Sequence, residues 1–347
     1  MNIHEKYMSR CIELAKKGLG NTYPNPSVGC VIVYNQNVIG EGFTSPHGSN
    51  HAEVNAIQSV EDKTLLSKAS IYVTLEPCSH YGKTPPCSDL IIKHQIPTIY
   101  IGCKDDNELV AGKGIEKLQQ AGCNVEVGVL EQQCKNQHRR FFTFQNKKRP
   151  YIILKWAETK DSFIAPSEKH RKDKKPVWIT NKKSRQLVHK WRAQEHAILV
   201  GTNTVLQDNP SLTTRDWEGN TPVRIVLDKS LKITEDHSVY NKEVKTIIIT
   251  EKEKSNNENL FFEMIDFSQP IAKQICTVLH KHRVISVIIE GGAKMLQTFI
   301  DENLWDEARV FIGDNEFKEG VESPTLKSAI SSEENILQDK LYYYFND

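Results

Sequence analysis

The sequence lacks a surplus of charge of either sign and lacks any long apolar run. Lysine and arginine total 45 against 44 aspartates and glutamates, so the formal net charge of the 347 residues is +1 at pH 7. A chain without a charge excess has no overall field that draws it to nucleic acid or to an anionic membrane. No stretch approaches the roughly 20 apolar residues of a spanning helix, and the first residues lack the apolar core of a signal peptide. We therefore expect a cytoplasmic protein with neither a nucleic-acid nor a membrane partner.

Glycine and proline are too scarce for a fibrous or disordered chain, with 18 and 14 residues. Eight cysteines occur in a chain too long to need a disulfide framework, so we expect free thiols. Only Cys78 and Cys87 lie among proline, glycine and histidine in a loop-like stretch, which is typical of metal ligands rather than of core residues. The length itself predicts two domains of ordinary size.

Two series of alternating helix-like and strand-like runs follow one another along the chain. In the first series the predicted helices cover 4–18, 51–60, 88–94, 114–121 and 131–144, and the predicted strands cover 28–42 as a hairpin, 69–76, 98–103 and 124–130. The segment 146–150, Asn-Lys-Lys-Arg-Pro, is charged, lacks apolar periodicity and ends in proline. We therefore predict two domains, 1–147 and 148–347.

The second series contains more strands than helices. Its predicted strands cover 151–156, 177–180, 197–201, 224–228, 246–250, 284–292 and 308–313, and its predicted helices cover 181–193, 270–282 and a segment ending near 303. Short apolar runs separated by helices predict a largely parallel sheet that is covered on both faces. Two lysine-rich stretches, 168–175 and 242–258, interrupt the series and are predicted to be solvated loops. The aromatic residues near the end of the chain are predicted to belong to the core or to an interface.

The strongest chemical signal is a histidine and a glutamate followed by two cysteines. His51 and Glu53 lie at the start of a predicted helix. Cys78 follows a predicted strand, and Cys87 opens the next helix. One imidazole and two thiolates form a zinc site whose fourth tetrahedral position is open to water, as in catalytic zinc sites. A carboxylate beside that position can take a proton from the water and pass it to a leaving nitrogen. This order of residues is the signature of a zinc deaminase.

Other interpretations of these residues stay open. A structural zinc site needs a fourth protein ligand, and His80 is the candidate for it. The domain would then be a zinc-stabilised binding module in which Glu53 is dispensable. Among enzymes, the alternative is a deaminase of another nucleotide or of tRNA with an inactive or unrelated C-terminal domain. The near-zero net charge disfavours a large tRNA surface.

The segment between the two cysteines carries a resemblance to a known family. Residues 74–87 read Thr-Leu-Glu-Pro-Cys-Ser-His-Tyr-Gly-Lys-Thr-Pro-Pro-Cys, with eight residues between Cys78 and Cys87. The segment resembles the pyrimidine deaminase of riboflavin biosynthesis, and the motifs at 23–26 and 51–54 match the same family. The resemblance implies that His51, Cys78 and Cys87 bind zinc, that Glu53 is the proton shuttle, and that Asn25 and Lys83 contact the substrate. One departure is Thr44, where many family members have a histidine; here His47 is nearby instead.

A buried strand in the second half, 287–290, ends in Gly291 and Gly292 before a helix, and such a turn lets backbone amides approach a phosphate. The pattern is not Gly-x-Gly-x-x-Gly, so a Rossmann fingerprint is absent. This half resembles the reductase domain of bifunctional riboflavin biosynthesis proteins, whose fold is like that of dihydrofolate reductase. The matching fragments are Leu154-Lys155, Asp161, Trp178-Ile179-Thr180, Arg192-Ala193, Asp208-Asn209-Pro210, Leu212-Thr213, Pro222, Arg224 and Glu290-Gly291-Gly292.

The resemblance also implies the residues of the reductase site. The NADPH site is implied at Ala157, Trp178, Thr204, Asp208, Gly291 and Gly292. The substrate site is implied at Lys155, Arg192, Leu212, Arg215 and Glu290. The forked guanidinium of an arginine suits a ribose phosphate, and a lysine inside an apolar strand needs a partner or a ligand. Two departures from the family are Ser162, where glycine is usual, and Pro176, where serine is usual.

We therefore expect an α/β protein with an N-terminal cytidine-deaminase-like domain and a C-terminal dihydrofolate-reductase-like domain. The resemblance implies a bifunctional riboflavin biosynthesis enzyme with zinc and NADPH as cofactors. The first reaction is the hydrolytic deamination of 2,5-diamino-6-(5-phosphoribosylamino)pyrimidin-4(3H)-one, and the second is the reduction of its ribosyl group to a ribityl chain. The family also implies a homo-oligomer, a dimer formed through the reductase domain.

Overall fold

The computed structural model of the protein describes residues 2–81, 85–106, 111–167, 169 and 177–346. The chain forms two compact units, Met1–Lys148 and Arg149–Asp347. Each unit has its own apolar core, and the two are considered separately below. Within the described ranges, no helix is both long enough and apolar enough to cross a bilayer.

The first unit is a five-stranded sheet with helices packed against it. Its elements are α1 (Ile3–Lys17), β1 (Gly29–Tyr34), β2 (Asn37–Phe43), α2 (Ala52–Ser59), β3 (Ser70–Leu75), α3 (Cys87–Lys93), β4 (Thr98–Cys103), α4 (Lys113–Gln120), β5 (Asn124–Val127) and α5 (Glu131–Lys147). The strand order is β2-β1-β3-β4-β5. Strand β1 is antiparallel to both β2 and β3, whereas β3, β4 and β5 are parallel.

Local sequence explains how this unit begins. Helix α1 starts with a capping box, in which the Asn2 side chain accepts the Glu5 N–H and the Glu5 carboxylate accepts the Asn2 N–H. Asn35 and Gln36 join β1 to β2 with φ angles of +47° and +62°. Two consecutive residues with positive φ match the twist of a tight β-hairpin. The predicted hairpin is therefore confirmed.

The second unit is a nine-stranded sheet with an additional two-stranded ribbon. Its elements are β6 (Tyr151–Glu158), β7 (Phe163–Pro166), α6 (Lys182–Gln194), β8 (Ala197–Gly201), α7 (Thr202–Asp208), β9 (Val223–Leu227), β10 (Thr246–Thr250), β11 (Leu260–Met264), α8 (Ile271–Lys281), β12 (Ser286–Glu290), α9 (Ala293–Asp301), β13 (Glu307–Ile312), β14 (Gly320–Glu322), β15 (Ser332–Ile336) and β16 (Asp339–Phe345). The sheet order is β11-β10-β9-β8-β12-β6-β13-β16-β15, and β14 pairs with β7.

The parallel, doubly covered sheet predicted for this half is confirmed. From β11 to β13 in this order, each strand is parallel to the next, whereas β16 is antiparallel to both β13 and β15. Helices α8 and α9 pack on one face of the sheet, and α6 packs on the other. The aromatic end of the chain belongs to β16. Tyr342 and Tyr344 are partly buried against one apolar core and Tyr343 against another, so the prediction that these aromatics belong to the core or to an interface is confirmed for the tyrosines, whereas Phe345 is 37% exposed.

The prediction of a strand at 177–180 is wrong. Val177 and Trp178 are 44% and 55% exposed, and the segment forms no regular structure. Only Ile179 is buried, and its carbonyl lies so close to Gly313 that a Cβ there would be 2.2 Å from it. The apolar residues of this segment are therefore one buried isoleucine and an exposed tryptophan, and they do not form a strand of the sheet.

Candidate active sites

The first candidate site lies at the edge of the first sheet where β3 ends. Because β1 is antiparallel to β2 and to β3, the start of β1 and the end of β2 lie at this same edge. The Gly29 N–H at the start of β1 donates to the Thr74 hydroxyl near the end of β3. The turn before β1, the loop after β2 and the segment after β3 therefore meet there.

The structure brings the three expected zinc ligands together at this edge. His51 is the N-cap residue of α2, Cys87 is the first residue of α3, and Cys78 lies just beyond the end of β3. The Nδ1 atom of His51 lies 3.6 Å from Cys78 Sγ and 3.3 Å from Cys87 Sγ. The three ligand atoms all lie within 4.8 Å of one another.

These distances fit a zinc ion. With Zn–S and Zn–N bonds of about 2.3 and 2.0 Å, a tetrahedral angle places the nitrogen and the sulfur about 3.5 Å apart. His80, the alternative fourth ligand, is exposed and lies outside this group. Among the residues that the structure describes, no fourth cysteine, histidine or carboxylate joins the three. The donor set therefore matches a zinc site with one open position.

The surroundings of Cys78 favour its thiolate, which is the form that binds zinc. The Cys87 thiol, against the opposing effect of burial, lowers the pKa of Cys78 to about 4, and His51 contributes further. The Cys87 N–H lies 3.3 Å from Cys78 Sγ, and the Ser88 N–H donates to the Cys78 carbonyl at 3.1 Å. The start of α3 therefore holds both the sulfur and the backbone of Cys78.

Glu53 lies in the first turn of α2, two residues after the ligand His51, and is only 4% exposed. Burial, together with the nearby Cys78, raises the pKa of the Glu53 carboxyl to about 7, and its side chain lies against the Cys87 thiol. A carboxyl group with this pKa can accept or release a proton near neutral pH. The Glu53 carboxyl group lies beside the expected zinc ligands, where the predicted transfer of a proton is possible.

The other expected residues of the first site have different outcomes. Asn25 lies in the turn before β1, at the site edge, where its N–H donates to the Thr22 carbonyl at 2.9 Å. Thr44 is buried and its hydroxyl accepts the Val28 N–H at 2.9 Å, so this side chain braces β1 and is engaged with the backbone. Lys83 lies outside the described residues.

The second candidate site lies at the carboxyl ends of the parallel strands of the second sheet. Lys155 of β6 is the direct neighbour of Glu290 at the end of β12. Arg192 of α6 donates from Nη2 to the Glu290 carboxylate at 2.7 Å. The structure thus joins three of the expected substrate residues in one cluster of buried charges.

This cluster keeps unused hydrogen-bonding capacity. Burial opposes the charge of Glu290, but Arg192 and Lys155 lower its pKa to about 2. Burial, with Arg192, lowers the pKa of Lys155, while Glu290 opposes this shift. Among the described residues, neither Glu290 Oε1 nor Arg192 Nε has a hydrogen-bond partner. A buried polar atom without a partner is costly, so both atoms suit a polar ligand.

The remaining expected substrate residues lie on the loop after α7. Leu212 is 2% exposed and has φ +56°, a left-handed conformation that is unusual for leucine. Arg215 is exposed, and its N–H donates to Nδ1 of His189 at 3.0 Å. His189 is not among the residues predicted from the sequence. It lies one helical turn before Arg192, and because it accepts the Arg215 N–H it links the loop of Arg215 to α6. Its i, i+3 spacing from Arg192 was the available signal.

The turn after β12 consists of two glycines and precedes α9. Gly291 has φ +104°, and a Cβ there would lie 2.5 Å from Thr204 Oγ1, so only glycine lets α7 approach this closely. A Cβ at Gly292, the N-cap residue of α9, would meet nothing within 4 Å. The backbone at the start of α9 is therefore open to an anion.

The other residues expected at the NADPH site lie on three different segments of the second unit. Ala157 lies in β6, Asp208 ends α7, and Trp178 is exposed with the Arg185 guanidinium 4.2 Å from its ring centre. At the departures from the family pattern, Ser162 has φ +66° in the turn after β6, which explains why glycine suits this position. Pro176 lies outside the described residues.

Two family models match the chain. The model of the cytidine and deoxycytidylate deaminase zinc-binding region matches residues 1–103, and the model of the RibD C-terminal domain matches residues 150–314. The second match excludes the alternative of an unrelated C-terminal domain.

Known proteins resemble the chain over nearly its whole length. The riboflavin biosynthesis protein RibD of Aquifex aeolicus is 39% identical over 324 residues, which are 92% of this chain and 89% of that protein. A deaminase and reductase of Thermotoga maritima is 38% identical with a TM-score of 0.88, covering 99% of this chain and 98% of its own. Acinetobacter baumannii RibD has the same TM-score and coverage at 30% identity. These matches confirm the expected fold class, a cytidine-deaminase-like domain followed by a dihydrofolate-reductase-like domain.

Proposed function

The chain belongs to the family of the riboflavin biosynthesis protein RibD, and we propose that its two units act in turn on one phosphorylated pyrimidine. The enzyme combines a zinc-dependent deaminase with an NADPH-dependent reductase. The deaminase domain comprises residues 1–147 and the reductase domain residues 148–347. The substrate of the deaminase domain is 2,5-diamino-6-(5-phosphoribosylamino)pyrimidin-4(3H)-one, as the activities named for the Thermotoga maritima protein suggest.

The observation that carries the deaminase assignment is the group of His51, Cys78 and Cys87 with the buried Glu53 beside it. Zinc, when bound, supplies Lewis-acid activation that makes water a nucleophile near neutral pH. The pyrimidine carbon gains the oxygen of water and loses its amino group as ammonia. The Glu53 carboxylate takes a proton from the water and delivers it to the departing nitrogen. Asn25 and Lys83 bind the substrate in this proposal.

In the reductase domain, the buried charges bind the phosphorylated ribose. The Nε of Arg192, which has no partner among the described residues, and the guanidinium of Arg215 donate to the phosphate, and His189 holds the backbone of Arg215 against α6. Lys155 and the free Oε1 of Glu290 bind the polar groups of the sugar. Leu212, in its left-handed conformation, provides an apolar surface of the substrate site. NADPH, when bound, supplies the hydride that converts the ribosyl group to ribityl.

The residues for NADPH surround the carboxyl ends of the strands. Gly291 and Gly292 with the start of α9 receive a phosphate, and Thr204 packs against this turn. Ala157, Trp178 and Asp208 complete the cofactor site. This assignment rests on the family pattern, supported by the open backbone at Gly292.

We further propose that the protein is cytoplasmic and forms a homodimer through its reductase domain, as the family resemblance suggests. Light scattering on the purified protein tests the oligomeric state directly. A monomer at assay concentrations contradicts the dimer without affecting either chemical assignment.

One experiment tests both activities. The zinc-loaded protein is mixed with the diaminopyrimidine phosphate, with and without NADPH, while ammonia release and NADPH absorbance are followed. We expect ammonia without NADPH, and NADPH oxidation that begins only after deamination. Ammonia release with adenosine or cytidine monophosphate at equal efficiency contradicts the proposed substrate.

A further inference from the structure

Glu76 is a buried carboxylate that the proposed mechanism does not use. It lies between the end of β3 and Cys78, two residues before this zinc ligand, and is 4% exposed. Its N–H donates to the Cys103 carbonyl at the end of β4 at 3.0 Å, which extends the pairing of β3 with β4. The backbone of Glu76 is therefore fixed to the sheet, and its side chain extends from a rigid point.

Among the residues that the structure describes, four donate a backbone N–H to the carboxylate of Glu76. Oε1 accepts from Gly114 at 2.9 Å and from Ile115 at 3.3 Å. Oε2 accepts from Gly112 at 3.0 Å and from Asp105 at 3.3 Å. Both oxygens of this carboxylate are therefore engaged with the backbone.

Three of these four donors belong to the start of α4. Gly112 is the N-cap residue of this helix, and Gly114 and Ile115 lie in its first turn. The helix has no side-chain cap of its own. The first N–H groups of a helix need an acceptor from elsewhere, which a local Ser, Thr, Asp or Asn usually provides. Here Glu76, distant in sequence, is the cap.

The start of α4 also packs directly on the residue before Cys78. A Cβ at Gly114 would lie 2.1 Å from the Pro77 carbonyl oxygen, so only glycine permits this approach. Glu76 thus hydrogen-bonds to the start of α4 and Pro77 packs against it, and Cys78 is the next residue in the chain. On its other side Cys78 is held by the N–H groups of Cys87 and Ser88.

We propose that Glu76 is a positioning residue for the zinc centre, which holds Cys78 in place by anchoring the Pro77–Cys78 turn to the start of α4. This inference rests on the proposed zinc site. It assigns to the carboxylate a role in the geometry of the metal, in addition to the stability that any helix cap provides. Residues that orient a ligand from behind typically change metal affinity by roughly 10- to 100-fold when they are mutated.

Glu76→Gln is the informative substitution because it keeps the size of the side chain. An amide keeps one acceptor oxygen but turns an NH₂ group toward the other pair of N–H donors, so the two hydrogen bonds to that pair are lost. Leu118→Ala is the matched control, since Leu118 is fully buried in the same helix and its apolar side chain takes no part in the cap. It weakens α4 through its packing and leaves the cap intact.

The test measures metal binding in the full-length protein rather than activity alone. Zinc affinity is measured by competition with a chelator, and the visible spectrum of the cobalt-substituted protein reports the geometry of the sulfur ligands. We expect Glu76→Gln to lose roughly 10- to 100-fold in zinc affinity and to alter the cobalt bands. Leu118→Ala keeps both, at an equal or larger loss of thermal stability.

The outcomes separate this inference from the zinc site itself. Unchanged zinc affinity and cobalt bands in Glu76→Gln refute the positioning role, as do equal losses in Leu118→Ala. A wild-type protein that binds neither metal refutes the zinc site. Should Glu76→Gln not fold, Glu76→Asp replaces it, because the shorter carboxylate cannot reach both pairs of donors. Wild-type zinc affinity in that variant contradicts the proposal equally.

Discussion

The substitution Glu290→Gln tests whether the buried charges of the reductase site are coupled as the structure shows. Arg192 Nη2 lies 2.7 Å from the Glu290 carboxylate, and Lys155 lies beside it on the neighbouring strand. These two cations lower the pKa of Glu290 from 4.5 to about 2 despite burial. Because the pKa is lowered in the folded state, the group stabilises the fold above pH 4.5 and loses this contribution as the pH falls toward 2.

The expected magnitude follows from the size of that shift. At 1.36 kcal/mol for each pKa unit, the shift corresponds to about 3 kcal/mol. Linkage places about 1 kcal/mol of this loss already at pH 3.5. The glutamine variant has no carboxyl group that titrates at this position. The difference in free energy of unfolding between wild type and the variant is therefore largest at neutral pH and becomes smaller below pH 4.5.

The assay uses a property of the sequence. All five tryptophans lie after residue 155, in the second unit, so tryptophan fluorescence reports the unfolding of the reductase unit alone. Urea unfolding curves of wild type and Glu290→Gln are compared between pH 7 and pH 3.5. Glu253→Gln, at an exposed position of the same unit, is the control. A difference between wild type and Glu290→Gln that does not change with pH refutes the coupling.

Three further predictions concern the two sites and one turn. Arg192→Ala raises the KM of the reductase for the phosphorylated substrate, since the free Nε donor of Arg192 is lost, while ammonia release stays at the wild-type rate. An unaltered KM removes Arg192 from the substrate site. Ser162→Gly stabilises the reductase unit by about 1 kcal/mol in the fluorescence assay, because Ser162 has φ +66°, whereas Ser162→Ala gives no gain. Removal of zinc by a chelator abolishes ammonia release but leaves NADPH oxidation with the deaminated substrate unchanged. Loss of both activities contradicts the proposal that the two reactions take place at separate sites.

The order and spacing of residues in the sequence predict the group of His51, Cys78 and Cys87 that the structure brings together. His51 and Glu53 share one helix start, and Cys78 and Cys87 flank a distinctive sequence, so little tertiary information was needed. The Arg192–Glu290 pair is different. The two residues are 98 positions apart, and only the packing of α6 on the end of β12 brings them together.

Other features depend on backbone geometry that composition does not reveal. The left-handed conformation of Leu212 has no sequence signal, because leucine rarely adopts it. The apolar letters at 177–180 suggested a strand, but Val177 and Trp178 are exposed. The role of Glu76 as a helix cap was equally hidden, since its partners follow about 30 to 40 residues later.

The most direct test of the account is ammonia release by Glu53→Gln. The protein is loaded with zinc, its metal content is measured, and ammonia is followed with the diaminopyrimidine phosphate, with Glu61→Gln as the exposed control. We expect full zinc content in both variants and a loss of roughly 10²- to 10⁴-fold in the ammonia rate of Glu53→Gln alone. Ammonia release at the wild-type rate by zinc-loaded Glu53→Gln contradicts the deaminase assignment.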